Sequence, residues 1–245
     1  MTCEIVVYNI ESAFKAQEGG ADRIELCDNP GEGGTTPSPG TIEVIRQNLS
    51  IDVMVMLRPR GSDFCYSSYE FHAMKRDLYH AQKLSVDGFV FGILNPNGTI
   101  DKKRCQELIE KARPQQVTCH RAFDMTRDPF EALEDCIEAG FDRILTSGQM
   151  PKALEGADLI KQLIDRAAGR IAIMPGSGVN EYTVKSIVSK TGAKEIHFSA
   201  TSTRKSLMEF QNQKITAMGE TGETEFTVRT VDPDRVRKIR ELAES

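Results

Sequence analysis

Residues 16–27 read AQEGGADRIELC, which begins like the last turn of a helix and ends like an apolar strand. The same order returns three times, as AQKLSVDGFVFG at 81–92, CIEAGFDRILTS at 136–147 and VSKTGAKEIHFS at 188–199. The turn position of the four copies is occupied by Gly20, Ser85, Gly140 and Gly192. Three of these are glycine, which tolerates the left-handed conformation that closes many helices. The recurrence predicts a repeated helix and strand architecture.

Four further strands are predicted between the copies, at residues 3–8, 51–58, 116–120 and 170–175. Helical patterns fill the gaps; for example, Asp128 followed by Pro129 is a typical helix start. Eight strands that alternate with helices in 245 residues predict an α/β fold, a closed (β/α)8 TIM barrel that forms a single domain over 1–245. The alternative is an open doubly wound sheet, which requires a reversal of strand order that sequence does not display.

Residues 200–232 do not follow the period and are predicted as a long loop between strand eight and the last helix, at 233–243. Loops of this length in a compact domain are usually functional or part of an interface. We therefore expect a homodimer or a higher homo-oligomer. The GETGET run at 219–224 is expected to be mobile.

Alternation along the strands predicts which side chains face the barrel interior. Ile24, Phe89, Ile144 and Ile196 share the position that should face the helices, so the next position, Glu25, Val90, Leu145 and His197, should point inward. The same rule turns Glu4, Arg58 and His120 inward. Barrel interiors are normally apolar, and an unpaired buried charge is costly. The polar cluster is therefore either a salt-bridge plug or a site at the carboxyl ends of the strands.

The run QVTCHRAFD, residues 116–124, delivers titratable groups at the end of strand five. Histidine and carboxylate side chains at such a rim can act as acid or base. The candidate catalytic residues are Glu25, His120, His197, Arg58 and Asp124. Since adjacent strand residues point opposite ways, His120 and Arg121 can both face inward only if the chain bends.

Anion-binding groups are predicted in three loops. Arg58 and Arg60 follow strand three, where two guanidinium groups suit a carboxylate or a phosphate, although Arg58 could instead pair with Glu25. The glycine-rich loop after strand seven and the loop after strand eight add Gly176, Ser177, Gly178 and Ser199. Barrels often bind phosphate in these two loops, and Asn180 is the predicted cap of the following helix.

Cys27, at the end of strand two, is the candidate metal ligand. Met54 and Met56 lie on the neighbouring strand, and thiolate with thioether ligands favours Cu(I). The alternative is that these methionines fill the core.

Composition excludes several classes of protein. Six cysteines without a CxxC pair, and the absence of a signal-like or long apolar segment, predict reduced thiols in the cytoplasm. The net charge of -5, with acids and bases mixed, lacks the basic block that nucleic acid requires. We expect neither nucleic acid nor a membrane as a partner.

Several runs, in their order and spacing, resemble the copper homeostasis protein CutC family: GGADRIELC, EGGTTPSPG, MLRPRGSDF, DGFVFG, TCHRAFDMTRDP, RILTSG, PGSGV and IHFSA. The resemblance covers nearly the whole chain and implies a cytoplasmic TIM barrel, a homo-oligomer and a role in handling Cu(I). By position, the polar set of the family falls on Glu4, Glu25, Cys27, Arg58, Arg60, Asp63, His120, Arg121, Asp124, Ser147 and His197.

This chain departs from the family pattern in three places. Val6 stands where some relatives carry a cysteine that could partner Cys27, and Ser62 and Ser177 stand where relatives usually have glycine.

Three hypotheses about function follow. The chain is a Cu(I)-binding protein with Cys27 as a ligand, an enzyme that acts on a small anionic or phosphorylated metabolite, or chiefly an oligomeric scaffold. The expected partner is accordingly a copper ion or a small anionic ligand.

Overall fold

A ring of eight parallel strands forms the centre of the protein in a computed structural model that describes residues 1–212, 214, 215, 218 and 225–245. The strands are β1 Thr2–Val7, β2 Arg23–Leu26, β3 Asp52–Met56, β4 Gly88–Phe91, β5 Gln116–Cys119, β6 Arg143–Thr146, β7 Ala172–Pro175 and β8 Glu195–Phe198. Pairing runs in order from β7 back to β1 and then to β8, and β7 contacts β8. The ring is therefore nearly closed, and the predicted TIM barrel is confirmed.

Eight α-helices surround this ring in the described residues. They are α1 Ile10–Glu18, α2 Pro39–Asn48, α3 Ser68–Gln82, α4 Lys102–Ala112, α5 Pro129–Ala139, α6 Ala157–Ala167, α7 Val184–Thr191 and α8 Pro233–Glu244. The Asp128 side chain caps α5 by accepting from the N–H groups of Phe130 and Glu131. The four predicted turn residues all have positive φ, from +58° at Ser85 to +97° at Gly140. None of the described helices has the length and apolar character needed to cross a membrane.

The start of α7 differs from the prediction. Asn180 does not cap this helix, because α7 begins at Val184 with Thr183 as its first flanking residue. The Asn180 side chain accepts a hydrogen bond from the N–H of Tyr182 at 2.9 Å and so stabilises a separate turn before the helix.

The segment predicted as a long loop contains regular structure. Strand β9 at Thr201–Lys205 pairs in antiparallel fashion with β10 at Thr227–Val231. Both strands are rich in β-branched residues that alternate along the chain, as a half-buried hairpin requires. The stretch 219–224, which we expected to be mobile, lies outside the described residues.

The inner face of the barrel has a charged layer at the amino ends of the strands. Arg23 forms ion pairs with Glu4 and Glu195, and Arg143 also pairs with Glu195. Arg23, Arg143 and Glu195 are the first residues of β2, β6 and β8. These ion pairs form a salt-bridge plug that closes one end of the barrel, but apart from Glu4 its members are not the residues considered for a plug from the sequence. The apolar residues that alternate with this layer pack outward against the helices.

Candidate active site

A cavity of about 460 Å³ opens at the carboxyl ends of the strands, at the opposite end from the salt-bridge plug. Its lining includes Glu25, Arg58, His120, Arg121, His197 and Ser199. Ser177 and Gly178 also line it, from the loop after β7. Residues far apart in the sequence thus meet at one rim, where barrels of this class hold their sites.

His197 connects two buried carboxylates at the floor of the cavity. Its Nδ1 atom lies 2.8 Å from Oε1 of Glu4, and its Nε2 atom lies 3.7 Å from Oε2 of Glu25. Gly176 makes this packing possible, because a β-carbon there would lie 2.4 Å from a methyl carbon of Leu145 and 3.3 Å from Cβ of His197. Glu25 and His197, which alternation predicted to point inward, therefore contact each other, with Glu4 as a third member of the group.

The two carboxyl groups differ in pKa. Burial disfavours the charge of Glu4, but Arg23 and His197 outweigh burial and lower the pKa of Glu4 to about 2. Burial raises the pKa of Glu25 to about 7, although His197 acts in the opposite direction. Burial alone would lower the pKa of His197, but Glu25 and Glu4 raise it above its usual value. Glu4 is thus a fixed anion, while Glu25 exchanges protons near neutral pH.

The chain bends sharply after β5, so that His120 and Arg121 both line the cavity. A short 3-10 helix follows at Arg121–Met125, and His120 Nδ1 accepts a hydrogen bond from the N–H of Ala122 at 3.2 Å. Gly92 leaves room for the imidazole, because a β-carbon at that position would lie 2.8 Å from His120 Nδ1. Sequence alternation could not foresee this bend, since it comes from the turn beyond the strand.

His120 is held in its neutral form. Burial, followed by the nearby charge of Arg58, lowers the pKa of His120 to about 3. Since Nδ1 accepts a hydrogen bond, the proton of the neutral ring belongs on Nε2. That nitrogen is buried and has no hydrogen-bond partner among the described residues. His120 therefore presents an unused N–H donor.

Arg58 is buried, but it does not pair with Glu25 or with any other acid in the described residues. Its guanidinium donates to the carbonyl oxygens of Glu32, Gly34 and Ser62 at 2.6 to 2.8 Å. It also lies 5.0 Å from the ring centre of Phe64. Neutral partners leave its positive charge uncompensated, so it makes the cavity wall favourable for an anion.

Four predicted site residues do not line the cavity, namely Arg60, Asp124, Gly176 and Cys27. Arg60 pairs with Asp63 and Glu70 on the outer side of the loop after β3. The Asp124 carboxylate accepts from the backbone N–H groups of Ser147 and Gln149 and from the Arg121 Nε at 2.8 Å. Its acceptor positions are occupied, so Asp124 positions Arg121 and the loop after β6, and it is not available to a ligand.

The loop after β7 has the features of an anion-binding turn. Ser177 and Gly178 have φ values of +76° and +71°, so two successive residues are left-handed. The backbone N–H groups of Ser177, Gly178 and Val179 donate no hydrogen bond to any described residue. Consecutive free N–H groups of this kind form concave sites for anions.

Sulfur atoms form a separate group beneath the cavity. Cys27, Met54 and Met56 pack with Val90 in one buried cluster, and Met56 also reaches the cavity. Burial, with the added effect of Glu25, raises the pKa of the Cys27 thiol well above its usual value. The donor types suit Cu(I). No group of three or more His, Cys, Asp or Glu side chains in the described part of the chain is arranged to hold a metal ion.

Sequence reasoning missed some residues of the cavity and of the plug. Tyr8 lines the cavity but was not predicted as a site residue, and Arg235 of α8 reaches the cavity from outside the barrel. The plug residues Arg23, Arg143 and Glu195 carried a usable signal, because each stands two positions before an inward-facing residue.

Comparisons with known proteins identify relatives along nearly the whole chain. The model of the CutC family matches residues 1–202. A human protein named copper homeostasis protein cutC homolog is 46% identical over 242 residues, which cover 99% of this chain and 89% of that protein. A mouse protein of the same name is 47% identical over 240 residues, covering 98% and 88%.

Solved structures agree with these relatives. The structure of a putative copper homeostasis protein CutC from Streptococcus agalactiae has a TM-score of 0.78 and 34% identity, covering 81% of this chain and 98% of its own. Phosphoribosyl anthranilate isomerase from Thermotoga maritima has a TM-score of 0.59 at 16% identity, with 100% and 98% covered. The second likeness supports the barrel fold alone.

Proposed function

The chain belongs to the CutC family of copper homeostasis proteins, and on that premise we propose that its barrel is an enzyme that binds a small phosphorylated or otherwise anionic metabolite at the rim. The observation that carries this proposal is that residues lining one cavity carry polar groups with no hydrogen-bond partner among the described residues. They are the N–H groups of residues 177–179, Nε2 of His120 and Oε1 of Glu25. Buried polar groups are normally hydrogen-bonded, so unpartnered ones in a cavity indicate a ligand that completes them.

The charges of the wall support an anionic ligand. Arg58 contributes a positive charge without an acidic partner, and the Arg121 side chain is 42% exposed at the cavity. Arg121 is held by Asp124 and by the hydroxyl of Ser147, so its guanidinium is already oriented. A ligand anion between Arg121 and the loop after β7 would meet both charge and N–H donors.

We assign acid and base catalysis at the floor of the cavity to Glu25 and His197. A carboxyl group with a pKa near 7 is suited to general acid and base catalysis at neutral pH. His197 is fixed by Glu4, and the two carboxyl groups raise the pKa of His197, which favours a positive charge beside Glu25. A site that only binds an anion would not need this combination of groups.

Thermal unfolding with inorganic phosphate tests the anion site. At equal ionic strength, phosphate should raise the melting temperature of the wild type more than chloride, because a ligand at 100 times its Kd stabilises by about 2.7 kcal/mol. Arg121→Gln should reduce this increment. Arg113→Gln is the matched control, because Arg113 precedes β5, has similar exposure and pairs with Asp142. Equal responses to phosphate and chloride in the wild type would contradict the proposal.

Cu(I) binding is the second candidate function, and the buried cluster of Cys27, Met54 and Met56 favours it. The ion would be cargo, reached through the cavity along Met56. Because the thiol is protonated in the free protein, binding should release a proton and weaken as the pH falls.

Anaerobic titration with Cu(I) against a chromogenic chelator tests this candidate. Cys27→Ser should lose one equivalent of tightly bound Cu(I), while Cys65→Ser, which changes a partly exposed loop thiol, should not. If wild type and Cys27→Ser bind Cu(I) with equal stoichiometry and affinity, Cys27 is not a ligand.

We also propose a cytoplasmic location and a homo-oligomer. All six cysteines are free thiols, which supports a reducing compartment. Leu207 and Phe210, just after β9, are 88% and 76% exposed, which supports contact with a second copy. Light scattering should give a smaller mass for the double variant Leu207→Lys, Phe210→Lys than for Tyr182→Lys, which alters an exposed aromatic residue elsewhere. Equal masses would contradict the assigned interface.

A further inference from the structure

Glu25 and His120 approach the cavity from different walls, and their free atoms are complementary. Glu25 belongs to β2, while His120 follows β5, three strands further round the ring. Glu25 Oε1 can accept a proton, and His120 Nε2 can donate a hydrogen bond. Both atoms are buried, and neither has a partner among the described residues. A ligand placed between them would meet a base on one side and a neutral donor on the other.

Several contacts keep His120 a donor instead of a proton acceptor. The N–H of Ala122 occupies Nδ1, the tilted ring of Phe64 packs with its centre 4.9 Å from that of the imidazole, and the Arg58 guanidinium lies 5.0 Å from the centre of the Phe64 ring. The nearby charge that acts on His120 is the cation of Arg58, which together with burial disfavours the protonated imidazolium. A neutral imidazole that polarises a carbonyl, opposite a carboxylate base, is the arrangement used for enolisation in another barrel enzyme, triosephosphate isomerase.

From this geometry, and resting on the proposed function, we propose that the substrate is an anionic carbonyl compound and that the barrel catalyses proton transfer at the carbon next to its carbonyl group. The Glu25 carboxylate takes that proton. The C–H electron pair becomes a C=C bond, and the carbonyl π pair moves to oxygen, where His120 Nε2–H donates a hydrogen bond to the developing charge. Return of the proton to the same carbon completes an exchange. Where that carbon carries a hydroxyl group, return of the proton to the former carbonyl carbon, with transfer of the hydroxyl proton to the former carbonyl oxygen, completes an isomerisation, and no electrons leave or enter.

The positions of the groups proposed to bind the anion agree with this chemistry. The N–H groups of 177–179 and Arg121 lie at the mouth, while Glu25 and His197 lie at the floor. An anionic group at the mouth would direct the rest of a short molecule inward. A cavity of about 460 Å³ holds a compound of this size and excludes macromolecules.

Two measurements with named probes test the inference. The first compares the affinities of phosphoglycolohydroxamate, which mimics an enediolate, and glycerol 3-phosphate, which lacks a carbonyl. The wild type should prefer the mimic by at least about 100-fold, since enzymes bind such mimics more tightly than ground-state analogues. His120→Gln and Glu25→Gln should lose most of this preference and still bind inorganic phosphate. His72→Gln, an exposed histidine on α3, should keep it.

The second measurement follows deuterium incorporation from D2O into dihydroxyacetone phosphate by NMR. We expect exchange in the wild type. Glu25→Gln should abolish exchange. His120→Gln should lower the exchange rate by about 100-fold, because removal of one such donor has an effect of this order.

The outcomes separate the two proposals. If inorganic phosphate binds but the enediolate mimic is not preferred and no exchange occurs, the enolisation inference is wrong and the anion site stands. If no phosphate compound binds, both are wrong.

Discussion

Glu25 has a charge that the fold makes costly, because its carboxyl group is buried and one of its oxygens has no hydrogen-bond partner among the described residues. Natural cores seldom contain such a group unless it serves a function. The free energy cost of burying the Glu25 carboxylate and the proposed chemistry have the same physical origin. Removal of water raises the pKa of Glu25 to about 7 and also leaves its basic oxygen free to act on a ligand.

Replacement of Glu25 by glutamine should therefore stabilise the protein, and more at high pH. The pKa of Glu25 is raised in the folded state, so the stability linked to its protonated form is complete below about pH 4.5 and is lost as the pH rises through about 7. Above pH 7 the wild type should have a deficit of roughly 3 kcal/mol that Glu25→Gln lacks. Urea unfolding at pH 5 and pH 8.5 measures the difference.

The matched control is Glu110→Gln, which alters an exposed glutamate on α4. It should change the free energy of unfolding little at either pH. A gain for Glu25→Gln that is equal at pH 5 and pH 8.5 would show that the charge of Glu25 is not the cause.

Ser62 and Ser177 have a backbone conformation that usually favours glycine. Both serines have positive φ, +67° and +76°. A residue with a β-carbon is strained in this region. The Ser177 hydroxyl recovers part of the cost by donating to the carbonyl oxygen of Pro151 at 2.8 Å, whereas the exposed Ser62 side chain makes no such bond in the described residues.

Ser62→Gly should therefore raise the free energy of unfolding by about 0.5 to 1 kcal/mol, which is the strain relieved less the extra entropy of glycine in the unfolded chain. Ser177→Gly should gain less, because it also loses the hydrogen bond to Pro151. Denaturant melts of the two variants give this comparison directly. A loss of stability in Ser62→Gly would contradict the strain argument.

At the scale of elements, Asp124 joins the 3-10 helix after β5 to the loop after β6. Its carboxylate accepts from Ser147 and Gln149 of that loop and from Arg121 of its own turn. The connection fixes the orientation of Arg121 at the cavity. Asp124 thus contributes to the site through another residue and not by contact with a ligand.

Asp124→Asn should lower the free energy of unfolding by about 2 to 4 kcal/mol, because an amide cannot accept all of these bonds and leaves buried donors unpaired. It should also reduce the phosphate increment in melting temperature, since Arg121 loses its support. Asp128→Asn, three residues after the 3-10 helix, exchanges one good N-cap for another and should be nearly neutral. Normal phosphate binding by Asp124→Asn would remove its positioning role.

Features that are determined by a short stretch of sequence could be predicted, whereas features that depend on contacts between distant segments could not. The turn residues Gly20, Ser85, Gly140 and Gly192 and the alternation at Glu25 and His197 are local, so both the strands and the inward faces could be predicted. The bend that brings His120 and Arg121 to one cavity depends on contacts with Gly92 and Ala122. The Asp124 carboxylate accepts hydrogen bonds from a loop more than twenty residues away in the sequence, and no local pattern predicts these bonds.

At the scale of the whole molecule, the ion pairs that stabilise the barrel lie at one end of its axis, and the groups proposed for chemistry lie at the other. The sequence allowed the internal charges to be either a plug or a site. In the structure a layer of ion pairs lies at one end of the barrel, and the cavity proposed as the site opens at the other. The ion pairs of Arg23, Arg143 and Glu195 close the amino end. Glu4 belongs to both layers, because it pairs with Arg23 below and with His197 above.

This separation predicts that Glu195→Gln weakens the fold and leaves the rim intact. The change removes the carboxylate that joins two buried guanidinium groups, so the free energy of unfolding should fall by roughly 3 to 5 kcal/mol at pH 7. The phosphate increment in melting temperature should be that of the wild type. Glu134→Gln, which breaks the surface pair with Arg170, should cost less than about 1 kcal/mol.

The decrease in the free energy of unfolding caused by Glu195→Gln should also depend on pH. Burial would raise the pKa of Glu195, but Arg143 and Arg23 lower it, and Glu4 is lowered to about 2. Stability from a carboxyl group with a lowered pKa is present above its unfolded value of about 4.5 and is lost as the pH falls below it. The difference between wild type and Glu195→Gln should therefore shrink between pH 5 and pH 3, as urea unfolding would measure. A deficit that stays constant over this range, or a phosphate increment that falls with it, would mean that the two ends of the barrel are not independent.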